Sequence, residues 1–250
     1  MTVAFARLLA MTLTSAQDPT ARPFGPGEEL VFQIKTLGLR SGTAQFDIGE
    51  AEPVQGTPAW PIVLTARSEG LTDTIFPVRD KFISFWDPTT LLPVQAELIA
   101  NEGRKKRTMS IVFHRTAPAH AVVRVHEEGK DPVGLDDPMP ATAQDFQAAV
   151  YWLRTRPLNV GDREEIPIVA GKRQWMMVAN VIKAQPLEVP VGHFDAVQVV
   201  VTTSFAGKLQ SKGNTLGYFS ADARHLPLRF EADLTLGKMV AELVRFSSGL

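Results

Sequence analysis

The chain has 250 residues, 44% of them apolar and 21% charged, with a formal net charge of −1. That much apolar side chain supports a core and excludes a largely disordered chain, and the near-zero charge gives no global attraction for nucleic acid. The absence of cysteine excludes disulfides, thiolate metal sites, thiol catalysis and an acylated N-terminal cysteine.

Residues 3–16, VAFARLLAMTLTSA, place Arg7 ahead of the apolar run Leu8, Leu9, Ala10, Met11 and small residues at Thr14, Ser15 and Ala16. This pattern predicts a short secretory signal cleaved after Ala16; the alternative is a frayed N-terminal extension. The run is too short to span a bilayer, and no other stretch approaches the roughly 18 consecutive apolar residues a spanning helix needs. Residues 17–27 hold three Pro and two Gly and read as a linker, which leaves 28–250 as a single β-rich domain.

From there the apolar residues recur with period 2. In 30–35, Leu30, Phe32 and Ile34 alternate with polar Gln33 and Lys35. Further strands are expected at 42–49, 60–67, 80–87, 93–100, 104–115 and 119–127, with turns at Asp87-Pro88, Asn101-Glu102-Gly103 and Ala117-Pro118. The stretch 129–141, GKDPVGLDDPMPA, reads as a long loop. One helix is predicted over 143–154, with Thr142 as N-cap, Asp145 completing a capping-box variant, and Phe146, Ala149, Val150 and Leu153 on one apolar face. Pro157 stops it. Strands are expected again at 164–170, 172–184, 194–205, 208–220, 226–236 and 238–247, with breaks at Gly171, Gly192-His193 and Gly237. Alternating βα units are missing, which argues against doubly wound and TIM-type folds. The expected class is mainly β: a large curved antiparallel sheet, half-barrel or barrel-like, with one central packed α-helix. Its concave face is a usual place for a ligand.

The residues that could carry chemistry are sparse. There is no GxSxG, no Gly-rich phosphate loop and no HExxH, so the common hydrolase, kinase and zincin classes are not indicated. His114 and His120 could face each other across a hairpin, but no third ligand is in view, and no metal or cofactor is expected. A candidate polar cluster comprises Arg79, Asp80, Asp145, Tyr151, Arg154 and Asp222. In one reading it faces the concave surface and orients a head group or peptide. In the other it is structural, with Asp145 as a cap, Asp222 as a turn former and Arg154 bonded to strand carbonyls or a carboxylate. The run Arg104-Lys105-Lys106-Arg107 reads as solvated charge blunting a strand edge, or as a contact for anionic lipid head groups. Trp60, Trp86, Trp152 and Trp175 are core residues or line a lipid cavity. The aromatic interleaving of single-strand nucleic-acid binders is missing.

The ordered set GEELVFQIKTLGLRSGTAQFDIG, VRDKFISFWDPTTLLPVQAELIANEGRKKRTMSIVF, AQDFQAAVYWLRTRPLNVGD, PVGHFDAVQV, SADARHLPLRF and GKMVAELV resembles the bacterial DUF3108 family. The resemblance covers most of residues 27–246. The family often places Trp before the SADARHLP-like segment, where this chain has Tyr218-Phe219. The resemblance implies an exported protein without an assigned activity. It is similar in general character to the LolA and LolB type of periplasmic half-barrel, which carries lipids or lipoproteins. The leading expectation is a non-enzymatic periplasmic protein that binds an apolar or amphipathic ligand, a lipid or lipoprotein, on its concave face. One alternative is a structural or interaction module whose partner is an envelope protein, using a sheet edge or the loop 129–141. Another is an enzyme acting on envelope polymers through carboxylates such as Asp80, Asp145 or Asp222.

Overall fold

The computed structural model describes residues 22–205, 208–209, 215–234 and 237–249. The expected signal segment and residues 17–21 of the expected linker lie outside the described residues. In chain order the elements are β1 (Glu29–Thr36), β2 (Leu39–Ile48), β3 (Glu52–Val54), β4 (Thr57–Ser68), α1 (Gly70–Ile75), β5 (Arg79–Asp87), β6 (Leu92–Glu102), β7 (Lys105–His114), β8 (His120–Glu127), β9 (Val133–Pro138), α2 (Phe146–Arg154), β10 (Arg163–Ala170), β11 (Arg173–Val189), β12 (Gly192–Phe205), β13 (Lys208–Leu209), β14 (Thr215–Ser220), β15 (Pro227–Leu234) and β16 (Gly237–Ser247).

The strands form one antiparallel sheet in the order β10-β11-β12-β14-β15-β16-β1-β2-β4-β5-β6-β7-β8-β9, with β3 appended to β4 and β13 to β12. Apart from the short appended β3 and β13, every step in that path but one joins strands consecutive in the chain. The first strand pairs with the last, Glu29 opposite Ser247, in the middle of the sheet. The two edges, β9 and β10, are consecutive strands in the chain, and α2 is the connection between them. A helix that joins opposite edges of one curling sheet has to cross its concave side. Accordingly, Gln147, Ala148, Ala149, Tyr151, Leu153 and Arg154 of α2 are all buried.

The curl brings the edges close. Val169 of β10 shares a buried cluster with Ala121 and Val123 of β8, and the Gln174 side-chain amide of β11 donates to the Pro138 carbonyl of β9. No backbone ladder joins β9 to β10 among the described residues, so the fold is barrel-like and unclosed. The strand just ahead of α2 covers the β10 edge instead: Gln144 N–H donates to Pro167 O and Val169 N–H to Gln144 O, each at 2.8 Å.

Four local expectations need correction. The helix begins at Phe146 rather than 143, because Gln144 is spent on that edge pairing; Asp145, not Thr142, is the N-cap, and its carboxylate accepts from Ala148 N–H at 2.7 Å. Leu153 and Ala149 of the expected apolar face are buried, but Phe146 is 42% exposed. The stretch 129–141 is not all loop: Val133 and Leu135 alternate well enough to extend the sheet as β9 on β8. Residues Arg22–Gly27 of the expected linker are packed, since Phe24 fills a hole between Trp86 and Tyr151, with ring centroids 5.5 and 4.9 Å away.

The C-terminal end of α2 is fixed by a buried ion pair. Arg154 donates to both oxygens of Glu28, at 2.6 and 2.8 Å, and its guanidinium lies over the Phe24 and Tyr151 rings. The Arg154 carbonyl accepts from His225 Nδ1 at 2.8 Å. Both ionic side chains are almost wholly removed from water, so removing one strands the other's charge. Arg154→Met or Glu28→Gln should each cost about 3–5 kcal/mol in urea unfolding, whereas the double variant should cost clearly less than the sum, because it leaves no orphaned ion.

Candidate functional site

The cross-strand register sorts the inward-facing side chains into rows. The deepest runs Ile48–Ile62–Ser84–Ala96–Ile111–Val123, one residue per strand from β2 to β8, each directly opposite the next. All six are buried. Ser84 and Ala96 are small, which lets α2 approach. The Ser84 hydroxyl donates to Asp145 at 2.6 Å, and the Gln147 side-chain amide donates to Ile62 O at 2.8 Å.

Two residues along each strand, a step of about 7 Å, the row becomes Phe46–Leu64–Phe82–Leu98–Met109–Val125–Val133. Every member is apolar and points inward, yet every one is only half-buried. Phe46 meets the Phe32 and Tyr151 rings, and Phe82, Met109 and Val125 rest on the deeper row, but among the described residues none of the seven is fully covered. With Phe146 and Val150 of α2, and Val169 and Trp175 from the other edge, they line a cavity of about 750 Å³. A further step outward changes the chemistry: Asp80, Arg107, Glu127, Lys130, Asp131 and Lys172 ring the mouth. The site is thus an apolar chamber with a charged entrance, open at the end where the β4–β5, β6–β7, β8–β9 and β10–β11 connections lie.

The residues expected as a polar cluster fall into separate places. Asp80 and Asp145 both line this cavity. Asp80 is at the mouth, where it accepts from Asn101 N–H at 2.9 Å. Asp145 is at the floor, fully buried. Burial pushes its carboxyl up to about 6, against the pull of the Ala148 N–H, the Ser84 hydroxyl and the Arg115 charge. Arg79 has the opposite parity to Asp80 and turns outward to Asp73, at 2.6 and 3.0 Å. Tyr151 and Arg154 are together at the closed end with Glu28, and burial, followed by the Glu28 charge, drives the Tyr151 hydroxyl well above its ordinary range. Asp222 sits in the β14–β15 turn, accepting from the Ser220 hydroxyl and paired with Arg224. His114 and His120 do face each other, with rings stacked 4.6 Å apart, and among the described residues no group of three metal-ligating side chains converges.

Two features of the site carry little sequence signal. The lining row is visible only once the register is known, since each strand contributes one unremarkable apolar residue. Arg115 is the other. Half-buried on β7's exit, it donates to Pro93 O, Ala141 O and Ala143 O and so anchors the segment that leads into α2. Burial lowers its guanidinium to about 10.

The fold and chamber together define a β-barrel-like protein with one internal helix and an apolar, accessible interior. A family model described as "Protein of unknown function (DUF3108)" matches residues 31–244, and the chain belongs to that family. No curated protein matches it. The chain is similar to the β-barrel-like protein of DUF1849 from Brucella abortus, at 9% identity and a TM-score of 0.60, over 91% of this chain and 99% of that one; this likeness bears on the fold alone. A Bacteroides fragilis candidate exported protein with a YmcC-like fold aligns at 8% identity and a TM-score of 0.37, over 91% and 98% of the two chains. Where the family often has Trp, Tyr218 here accepts from the Gln198 amide at 3.2 Å and Phe219 is buried. Among the described residues no helix is long and apolar enough to cross a membrane.

The raised Asp145 carboxyl has a measurable consequence. A group that titrates higher in the fold than in the unfolded chain favours folding while protonated. That contribution is full below the ordinary value of 3.8 and is lost as the pH rises through about 6. Asp145→Asn keeps a capping side chain without the charge. It should flatten the stability profile across that interval and raise stability at neutral pH by up to about 3 kcal/mol, read from urea midpoints at a series of pH values.

Proposed function

We propose that the chain is a non-enzymatic envelope protein that holds an amphipathic ligand, with the acyl part in the chamber and the polar head at the charged mouth. One observation carries this reading: seven half-buried apolar residues in register, Phe46 to Val133, face an unfilled interior. Apolar surface left accessible in a concave site gains about 25 cal/mol for each Å² a ligand covers. The volume falls within the roughly 300–1,000 Å³ of small-molecule sites. The mouth offers Arg107, Lys130 and Lys172 to an anionic head, with Asp80, Glu127 and Asp131 between them. Export rests on the signal-like pattern of residues 3–16.

The polar groups of the chamber suit binding better than turnover. Asp145, the buried carboxylate, already accepts from a backbone N–H and a hydroxyl, both of which serve the helix. Asp222, the third carboxylate of the enzymatic reading, does not line the chamber.

Native mass spectrometry of the protein purified gently from its own envelope should show a stoichiometric acyl-bearing adduct. Palmitate should displace an apolar fluorophore from the delipidated protein. Met109→Trp, which fills the middle of the lining row, should weaken that displacement about tenfold or more, the loss expected when about two buried CH₂ groups are excluded, with little change in melting temperature. A clean apo mass with no displaceable fluorophore would overturn the reading.

A further inference from the structure

The open end of the barrel carries apolar side chains that stay largely outside the core. Leu37 and Leu39 flank the β1–β2 turn at 69% and 72% exposure; Leu71 and Ile75 of α1 stand at 71% and 72%, and Phe76 at 50%. Scattered exposed apolar residues are ordinary, but these are joined. Glu69, at the start of α1, bonds to Arg40 and Thr43 of β2, and its N–H donates to Ser41 O, which seats α1 beside Leu39. At the other end of α1 the Phe76 ring lies against Gly103, so closely that a Cβ there would fall 2.8 Å from it. Helix α1 has no buried residue at all. Leu37 adds a conformational argument: it holds φ of +53° beside Gly38 at +79°. That pair of positions favours Asn-Gly, and a leucine there is strained. Apart from the contacts of Phe76 with Gly103 and of Leu37 with Gly237, these side chains lie outside the core, and Leu37 is held in a strained conformation.

The charge beside the patch is predominantly positive. Gly103 leads into Arg104, Lys105, Lys106 and Arg107, all exposed. The acidic residues nearby are mostly spoken for: Glu69 by Arg40, Asp73 by Arg79, Glu127 by Lys130 and Glu128 by Lys106. Among the described residues Arg104, Lys105 and Arg107 have no carboxylate within ion-pair distance. Of the other carboxylates at this end, Glu102 lies across the β6–β7 turn from Lys105, and Asp80 and Asp131 are on the cavity mouth.

We propose that this end of the barrel docks onto an anionic lipid bilayer, with Leu37, Leu39, Leu71, Ile75 and Phe76 entering the headgroup–acyl boundary and the Arg104–Arg107 run against the phosphates. Interfacial binding of this kind needs an apolar contact together with a basic patch, since either alone is weak and reversible. The structure supplies both on one face. The same face holds the chamber mouth, so a docked molecule would present its apolar interior to the membrane. This last point rests on the lipid-binding reading; the docking itself does not.

The test is co-sedimentation of the mature full chain with vesicles of phosphatidylethanolamine and phosphatidylglycerol, and with vesicles of phosphatidylcholine alone. The wild type should partition to the anionic vesicles, and the partitioning should fall as salt rises. The triple variant Leu71→Ser, Ile75→Ser, Phe76→Ser should lose about tenfold or more. Arg104→Gln, Lys105→Gln, Lys106→Gln should lose a similar factor together with the salt dependence. Both variants should keep the wild-type melting temperature, because none of the altered side chains is buried, and should keep the palmitate displacement. Wild-type protein that stays in the supernatant with both vesicle types, or variants that bind as wild type does, would overturn the proposal. A patch that captures only a protein partner gives the first of these results. Vesicle binding without palmitate displacement would overturn the lipid-chamber reading and uphold the docking.

Discussion

The fold depends on burying a helix whose two polar ends both lie inside protein. Helix ends leave four backbone groups each without intrahelical partners, and α2 cannot give them to water. At its start, Asp145 answers with a carboxylate that accepts from Ala148 and is itself held by Ser84. At its finish, Arg154 is locked to Glu28 and its carbonyl is taken up by His225. The first of these solutions costs a buried carboxylate and the second a buried ion pair. Both are tolerable only because each charged group has several partners. They also give the barrel its polarity, for the aromatic cluster of Phe24, Trp86 and Tyr151 seals the end where Arg154 lies.

The chamber follows from a mismatch of lengths. A helix of nine residues spans about 14 Å, whereas strands such as β4, with 12 residues, run about 40 Å. A single short helix anchored at the closed end therefore leaves the interior beside β2 to β9 unfilled toward the open end. In a closed core the inward alternation of β4 to β9 would bury its apolar residues against one another. Here Leu64, Phe82 and Met109 stand side by side along one wall and stay half-buried.

Much of this architecture could be read from the sequence. The period-2 runs located nearly every strand, the break at Gly192-His193 joins β11 to β12, and the hairpin about Ala117-Pro118 does set His114 opposite His120. What escaped was non-local. Arg154 needs a carboxylate, and the one it uses is 126 residues away. Arg79 and Asp80 are neighbours in sequence, but the strand period turns one out to Asp73 and the other in to the mouth. Helix α1 is too short to declare itself by periodicity, and its apolar residues face solvent, the reverse of the usual signal. The lining row belongs to seven different strands, and only their register makes it one feature.

The pairing of β1 with β16 has a consequence for biogenesis. The sheet consists of two meanders, β1 to β9 and β10 to β16, each able to form from sequence neighbours, and their one continuous backbone seam joins the first strand to the last. Until β16 is in place, the free side of β1 has no partner and the helix that bridges the two arms has no enclosed interior to occupy. Long-range closure of this kind is slow. The two meanders therefore become one sheet only when β16 docks on β1.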